Sequence, residues 1–114
     1  GTDFAMAGFD MIADPARREE VRARLQECGR ELVALSDAQI AEFAGNALEL
    51  QGKSGRVLAI SSRAVRALQA DQIKVLESHV QLLPLDVPTI ELAGGSVRCM
   101  LAGVHLRSRP RAPA

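Results

Sequence analysis

The sequence predicts an α/β fold made of two related strand-helix-strand units, and three observations carry that expectation. Short apolar runs suited to buried strands alternate along the chain with longer segments whose apolar residues recur at helical spacing. The hydrophobic share is 47% of 114 residues, enough to build a core within one domain's length. Displacing the sequence by 50 residues on itself sets Leu32 over Leu82, Leu35 over Leu85, Ile40 over Ile90 and Gly45 over Gly95. The expected units cover residues 6–50 and 56–100, each a strand, a helix, a strand, a connector and a strand. Two such units are few for a closed modular architecture.

Phe4 to Ile12 is mostly apolar and bounded by Asp3 and Asp14, which suits a buried strand. Asp14-Pro15 has the form of an N-cap followed by proline in the first helical turn, and Gly29 suits the residue just past that helix's end. Val21, Leu25 and Cys28 share one stripe of the helix and are expected to pack on a sheet, with Arg17, Arg18, Glu19, Glu20 and Arg24 facing water. Leu32–Leu35 reads as a short buried strand. Ser36-Asp37-Ala38-Gln39 is a capping box opening a brief helix through Phe43, stopped at Gly45. Ala47–Leu50 and Arg56–Ile60 form a hairpin across the glycine turn Gln51–Gly55. Ser62–Ser78 is helical with a break near Gln69, turning Val65, Leu68, Ile73 and Leu76 inward, and Gln81–Leu85 is the next strand. After Pro88 and Gly94-Gly95 a last strand is expected from Val97 to Leu106, followed by a polar, proline-containing tail over residues 107–114 that is expected to be unstructured.

Composition excludes several functions. Lys plus Arg and Asp plus Glu number 14 each, so no net field steers nucleic acid or an anionic membrane toward the chain. Aromatics are 3%, with Phe4, Phe9 and Phe43 alone, which leaves little for base stacking. No apolar run approaches the roughly 20 residues of a spanning helix. Neither a signal-peptide pattern nor a disulfide framework is visible, so a reducing, cytoplasmic setting is the expectation. The chain opens Gly1-Thr2-Asp3-Phe4 without an initiator Met, and together with the repeat this raises the expectation of a segment cut from a larger protein.

Among side chains with chemistry, Cys99 is the candidate nucleophile. It follows Gly94-Gly95-Ser96, where backbone can approach a ligand closely, and Arg98 beside it would favour thiolate. The competing reading is a small buried hydrophobe, and Cys28 on its helix stripe fits that reading better. A thiol nucleophile needs a base, and only His79 and His105 are present. On a common strand, His105 would lie roughly 20 Å from Cys99. His79 closes the second long helix and suits a C-terminal capping role. Asp86 and Glu91 bracket Pro88 and could line a cleft near Cys99, or simply be solvated. No metal-ligand spacing, phosphate loop or serine-hydrolase elbow occurs, and no cofactor is expected.

The run Pro88-Thr89-Ile90-Glu91 followed by Gly94-Gly95-Ser96-Val97-Arg98-Cys99-Met100 resembles the C-terminal motif of the guanidine-modifying superfamily, which holds arginine deiminases, dimethylarginine dimethylaminohydrolases and amidinotransferases. Gly1–Ala5, Glu42–Asn46 and Glu49-Leu50 are similar to the bacterial arginine-deiminase-related branch, the citrulline-utilisation hydrolase type. The similarity extends over residues 1–106. It implies an α/β propeller of five modules, of which this chain would form about two as the C-terminal part of the domain. It also implies that Cys99 attacks the carbon of a small guanidino substrate, with a histidine moving protons and carboxylates holding the guanidinium. In that branch the histidine lies in a His-Thr-Asn-like motif shortly before the Gly-Thr-Asp-Phe segment, which here comes first. The isolated chain is therefore expected to be inactive alone. Ala93 in place of a further glycine, and Gly103-Val104-His105 in place of an acidic-aliphatic-aromatic run, bear on substrate choice.

The leading expectation is thus part of a guanidino-group hydrolase. Amidino transfer on the same fold differs only in whether water or an amine resolves the intermediate. A non-catalytic module whose unpaired edges serve self-association or partner binding is the alternative from another class, and on either reading the exposed module edges lead to the expectation of a homo-oligomer.

Overall fold

The computed structural model describes residues 1–104; the predicted tail and His105 lie outside the described residues. Over the described residues the chain is mixed α/β with two small sheets. Strand β1 (Phe4–Ala7) pairs in parallel with β2 (Glu31–Ala34) across helix α1 (Pro15–Glu27). After the short helix α2 (Asp37–Ala41), β3 (Leu48–Gly52) pairs antiparallel with β4 (Gly55–Ser61). Helices α3 (Ser62–Ala67) and α4 (Ala70–His79) then cross over to β5 (Gln81–Leu85), parallel to β4, and α5 (Pro88–Leu92) follows. β3 and β5 are the edges of their three-stranded sheet. Among the described residues no helix is long and apolar enough to cross a membrane.

The expected repeat is present in the order of elements. A parallel β-α-β crossover followed by a short helix occurs twice: β2 and β5 start 50 residues apart, α2 and α5 51. Their start signals follow the sequence. The Asp14 carboxylate caps α1 by accepting from the Ala16 and Arg17 amides, with Pro15 in the first turn. The Ser36–Gln39 capping box opens α2. The break near Gln69 is real: Leu68 adopts an extended conformation and Gln69 restarts the helix as α4.

One core serves both units. Phe4, Val33 and Leu35 from the first meet Leu58, Ile60, Ala64, Leu68, Leu76 and Val80 from the second. Polar contacts stitch the same seam. The buried Gln39 donates to the Ala67 carbonyl at 2.9 Å and to Gln72 Oε1 at 2.7 Å, and Gln72 donates onward to the Ala34 carbonyl at 2.6 Å. The side-chain amide hydrogens of this pair thus all cross between units, while each side-chain oxygen also accepts from the backbone amide that opens its own helix, Ser36 or Gln69.

Three expectations are corrected. The first strand stops at Ala7, because the chain turns at Gly8 into a 3₁₀ turn over Phe9–Met11 that buries the Phe9 ring beneath the Arg22 guanidinium, 4.2 Å from its centroid. The α1 stripe is not buried: Val21 and Leu25 are half-covered, and Cys28 is the exposed C-cap residue rather than core. The final strand is not formed over its described part either. Val97–Met100 is a 3₁₀ turn, since Cys99 and Leu101 donate locally to the Ser96 and Arg98 carbonyls while the Arg98 amide is taken by Asn46. Those amides have no sheet partner to spare.

Candidate active site

Cys99 is presented by a turn anchored on its N-terminal side. Helix α5 closes with Gly94 at φ +90, a backbone conformation that side chains other than glycine rarely adopt, and Gly95 follows. Ser96 is extended and fully buried, and its hydroxyl donates to the buried Glu91 carboxylate at 3.0 Å. Val97, 1% exposed, plugs the turn into the interior against β4. The next two residues, Arg98 and Cys99, are left at the surface. A Cβ at Gly95 would crowd the cysteine, lying 3.2 Å from the Cys99 Cβ and 3.5 Å from Sγ.

The other half of the site comes from the first unit. Two residues past the end of α2, Phe43 holds φ +63 despite its side chain, and the reversal delivers Asn46 to the cysteine turn. The Asn46 Oδ1 accepts from the Arg98 amide at 2.9 Å, and Nδ2 donates to the Cys99 Sγ at 3.1 Å. Phe43 is steadied by Arg63, whose guanidinium lies 5.3 Å from the ring centroid and forks onto Glu42 at 2.5 and 3.0 Å. Arg63 thereby holds the Glu42 carboxyl below the usual carboxylate range.

The electrostatics favour thiolate. The Asn46 hydrogen bond, and after it one from the Ser96 backbone, lower the Cys99 pKa; partial desolvation opposes them, and the charge of Arg98 adds a smaller lowering. The sequence reading singled out Arg98, but the larger contribution comes from a neutral amide.

A cavity of about 550 Å³ borders this turn, lined by Arg98 and Gly45 together with Arg30, Glu49, Thr2 and Phe4. Burial pushes the Glu49 carboxyl up, but hydrogen bonds from the Thr2 hydroxyl and amide, with the Arg56 charge, outweigh it and leave the net shift downward. The cavity therefore presents both signs of charge: a carboxylate, and the guanidinium side chains of Arg30 and Arg98.

The remaining sequence candidates lie elsewhere. His79 Nε2 is 2.8 Å from the Glu31 carboxylate, and the ring stacks on Phe4 with centroids 6.0 Å apart, so it ties α4 to the first sheet rather than serving Cys99. Asp86 is exposed, whereas Glu91 is buried and turned inward onto Ser96. Among the described residues no histidine contacts Cys99, and no group of three or more His, Cys, Asp or Glu side chains could hold a metal ion. Asn46 was not singled out from sequence. The available signal was the repeat, which lays Gly45-Asn46 over Gly95-Ser96 and so marks it as the polar exit of an equivalent turn.

A family model described as N,N dimethylarginine dimethylhydrolase, eukaryotic, matches residues 1–106. No curated protein and no solved structure gives a significant match.

Proposed function

The chain belongs to the dimethylarginine dimethylhydrolase family, within the guanidine-modifying superfamily, and on that premise we propose that it carries the nucleophile of a guanidino-group hydrolase, Cys99. The observation that supports this most is the exposed thiol held toward its anionic form by Asn46 on a turn braced from both units. A planar guanidinium can approach such a thiolate from solvent. The sulfur adds to the guanidinium carbon. The carbon–nitrogen bond to the leaving amine then breaks as that nitrogen takes up a proton, leaving a thiouronium on Cys99. Water adds to the same carbon, the carbon–sulfur bond breaks, and the thiolate is regenerated with release of a ureido product.

Two protons must be moved in that cycle, and the described residues bring no histidine to Cys99. In this reading the base, and the carboxylates that grip the guanidinium, come from outside residues 1–104, on further modules of an α/β propeller to which residues 1–106 contribute two. The cavity beside Arg98 suits the zwitterionic end of an arginine-like substrate, with a carboxylate facing Arg30 or Arg98 and an ammonium facing Glu49.

The test is an assay for amine and ureido release from arginine, citrulline and methylated arginines. The 114 residues alone release neither. In a polypeptide that also supplies the histidine-bearing segment, release occurs and Cys99→Ser lowers it by at least about a thousandfold, whereas Cys28→Ser leaves it unchanged. Turnover that survives Cys99→Ser overturns the assignment. Cys99-dependent turnover by the 114 residues alone overturns the external base.

A further inference from the structure

We propose that Asn46 is the positioning residue of the Cys99 thiolate: its carboxamide oxygen fixes the turn that carries the cysteine, while its amide nitrogen aims a hydrogen bond at Sγ. The inference rests on the nucleophile reading above and goes beyond it by assigning the sulfur's orientation to a residue 53 positions away, in the other unit.

The Arg98 backbone amide can only donate, so the Asn46 atom 2.9 Å from it must be the oxygen. That leaves the NH₂ group directed at Sγ, 3.1 Å away, and a sulfur met by a donor is stabilised as the anion. The backbone carbonyl of Asn46 also accepts from the Arg98 amide, at 3.4 Å, so residue 46 grips the turn by both main chain and side chain. Its own placement is secured by its backbone amide, which donates to the Phe43 carbonyl at 2.8 Å across the reversal that Phe43 makes at positive φ. The groups facing the thiol are then Asn46, the Ser96 backbone and the Arg98 charge. Among the described residues, only the first reaches Sγ from the other unit.

Two roles are separable because the two ends of the carboxamide do different things. Asn46→Asp keeps an acceptor for the Arg98 amide and so preserves the turn, but it replaces the donor to sulfur with an anionic oxygen. Asn46→Ala removes both. The experiment measures the rate of Cys99 alkylation by iodoacetamide across pH in the full chain, with the modified peptides quantified by mass spectrometry. Circular dichroism establishes that each variant is folded.

Asn46→Ala is expected to slow alkylation below the wild-type midpoint about tenfold, the loss expected for one hydrogen bond to a charged acceptor. Asn46→Asp is expected to slow it further while leaving the melting temperature close to wild type. If Asn46 merely capped the turn, the aspartate variant would react like wild type, and that result overturns the proposal. So does an unchanged pH profile in both variants. Failure of the nucleophile reading shows itself separately, as turnover that survives Cys99→Ser whatever the Asn46 variants do.

Discussion

The stretch from α2 to β3 and the stretch from α5 to the cysteine turn begin alike and end differently. Each has a short helix, then a residue at positive φ, Phe43 in one and Gly94 in the other, then a small polar residue that leaves the turn. In the first unit the chain continues as β3 and spends its amides on β4. In the second it folds into a 3₁₀ turn, its amides are satisfied locally and by Asn46, and Arg98 and Cys99 stay exposed. One copy thus completes the sheet and the other displays a thiol. The strand-forming copy also supplies the side chain that steadies the other. The environment of the thiol is not set by Cys99 alone: it arises where two related units meet.

The comparison can be broken most severely through the shared core. Ile60 is fully buried where the units join, and Ile60→Ala should cost about 2–5 kcal/mol. Urea denaturation followed by circular dichroism should still show one cooperative transition, because each unit buries its apolar face on the other. Two separate transitions would mean that the units fold independently and that the site is not a joint product. A smaller perturbation addresses the reversals. Gly94→Ala meets nothing within 4 Å, so its cost is backbone strain alone, about 1–2 kcal/mol in the same measurement. A neutral result there would show that α5 can close without glycine, as α2 does at Phe43, and that the sequence difference between the copies is incidental.

Much of the scaffold was legible because its signals are local. Asp14-Pro15, the Ser36–Gln39 box and the break at Gln69 announce helix boundaries within a few residues, and the 50-residue repeat foretold which elements recur. The failures share a physical cause. Whether Val97–Met100 becomes a strand depends on where its amides find partners, and one of them finds Asn46, remote in sequence. Val21, Leu25 and Cys28 have helical spacing, but spacing does not say what surface, if any, covers a stripe. Cys99 could be singled out from its glycine turn and its motif. The amide that tunes it could not, since only the meeting of the two units brings Asn46 to the sulfur.

The most direct test of the central claim uses the second cysteine as an internal standard. Cys28 and Cys99 are both free and exposed, so access alone does not distinguish them. One equivalent of a haloacetamidine, a planar cation shaped like a guanidinium and carrying a displaceable halide, is offered to the chain at neutral pH, and its partition is read by peptide mass spectrometry. Labelling is predicted to fall on Cys99 over Cys28 by about tenfold or more, reflecting the hydrogen-bonded thiolate. Equal labelling of the two cysteines would contradict the claim that the joined units prepare Cys99 as a nucleophile.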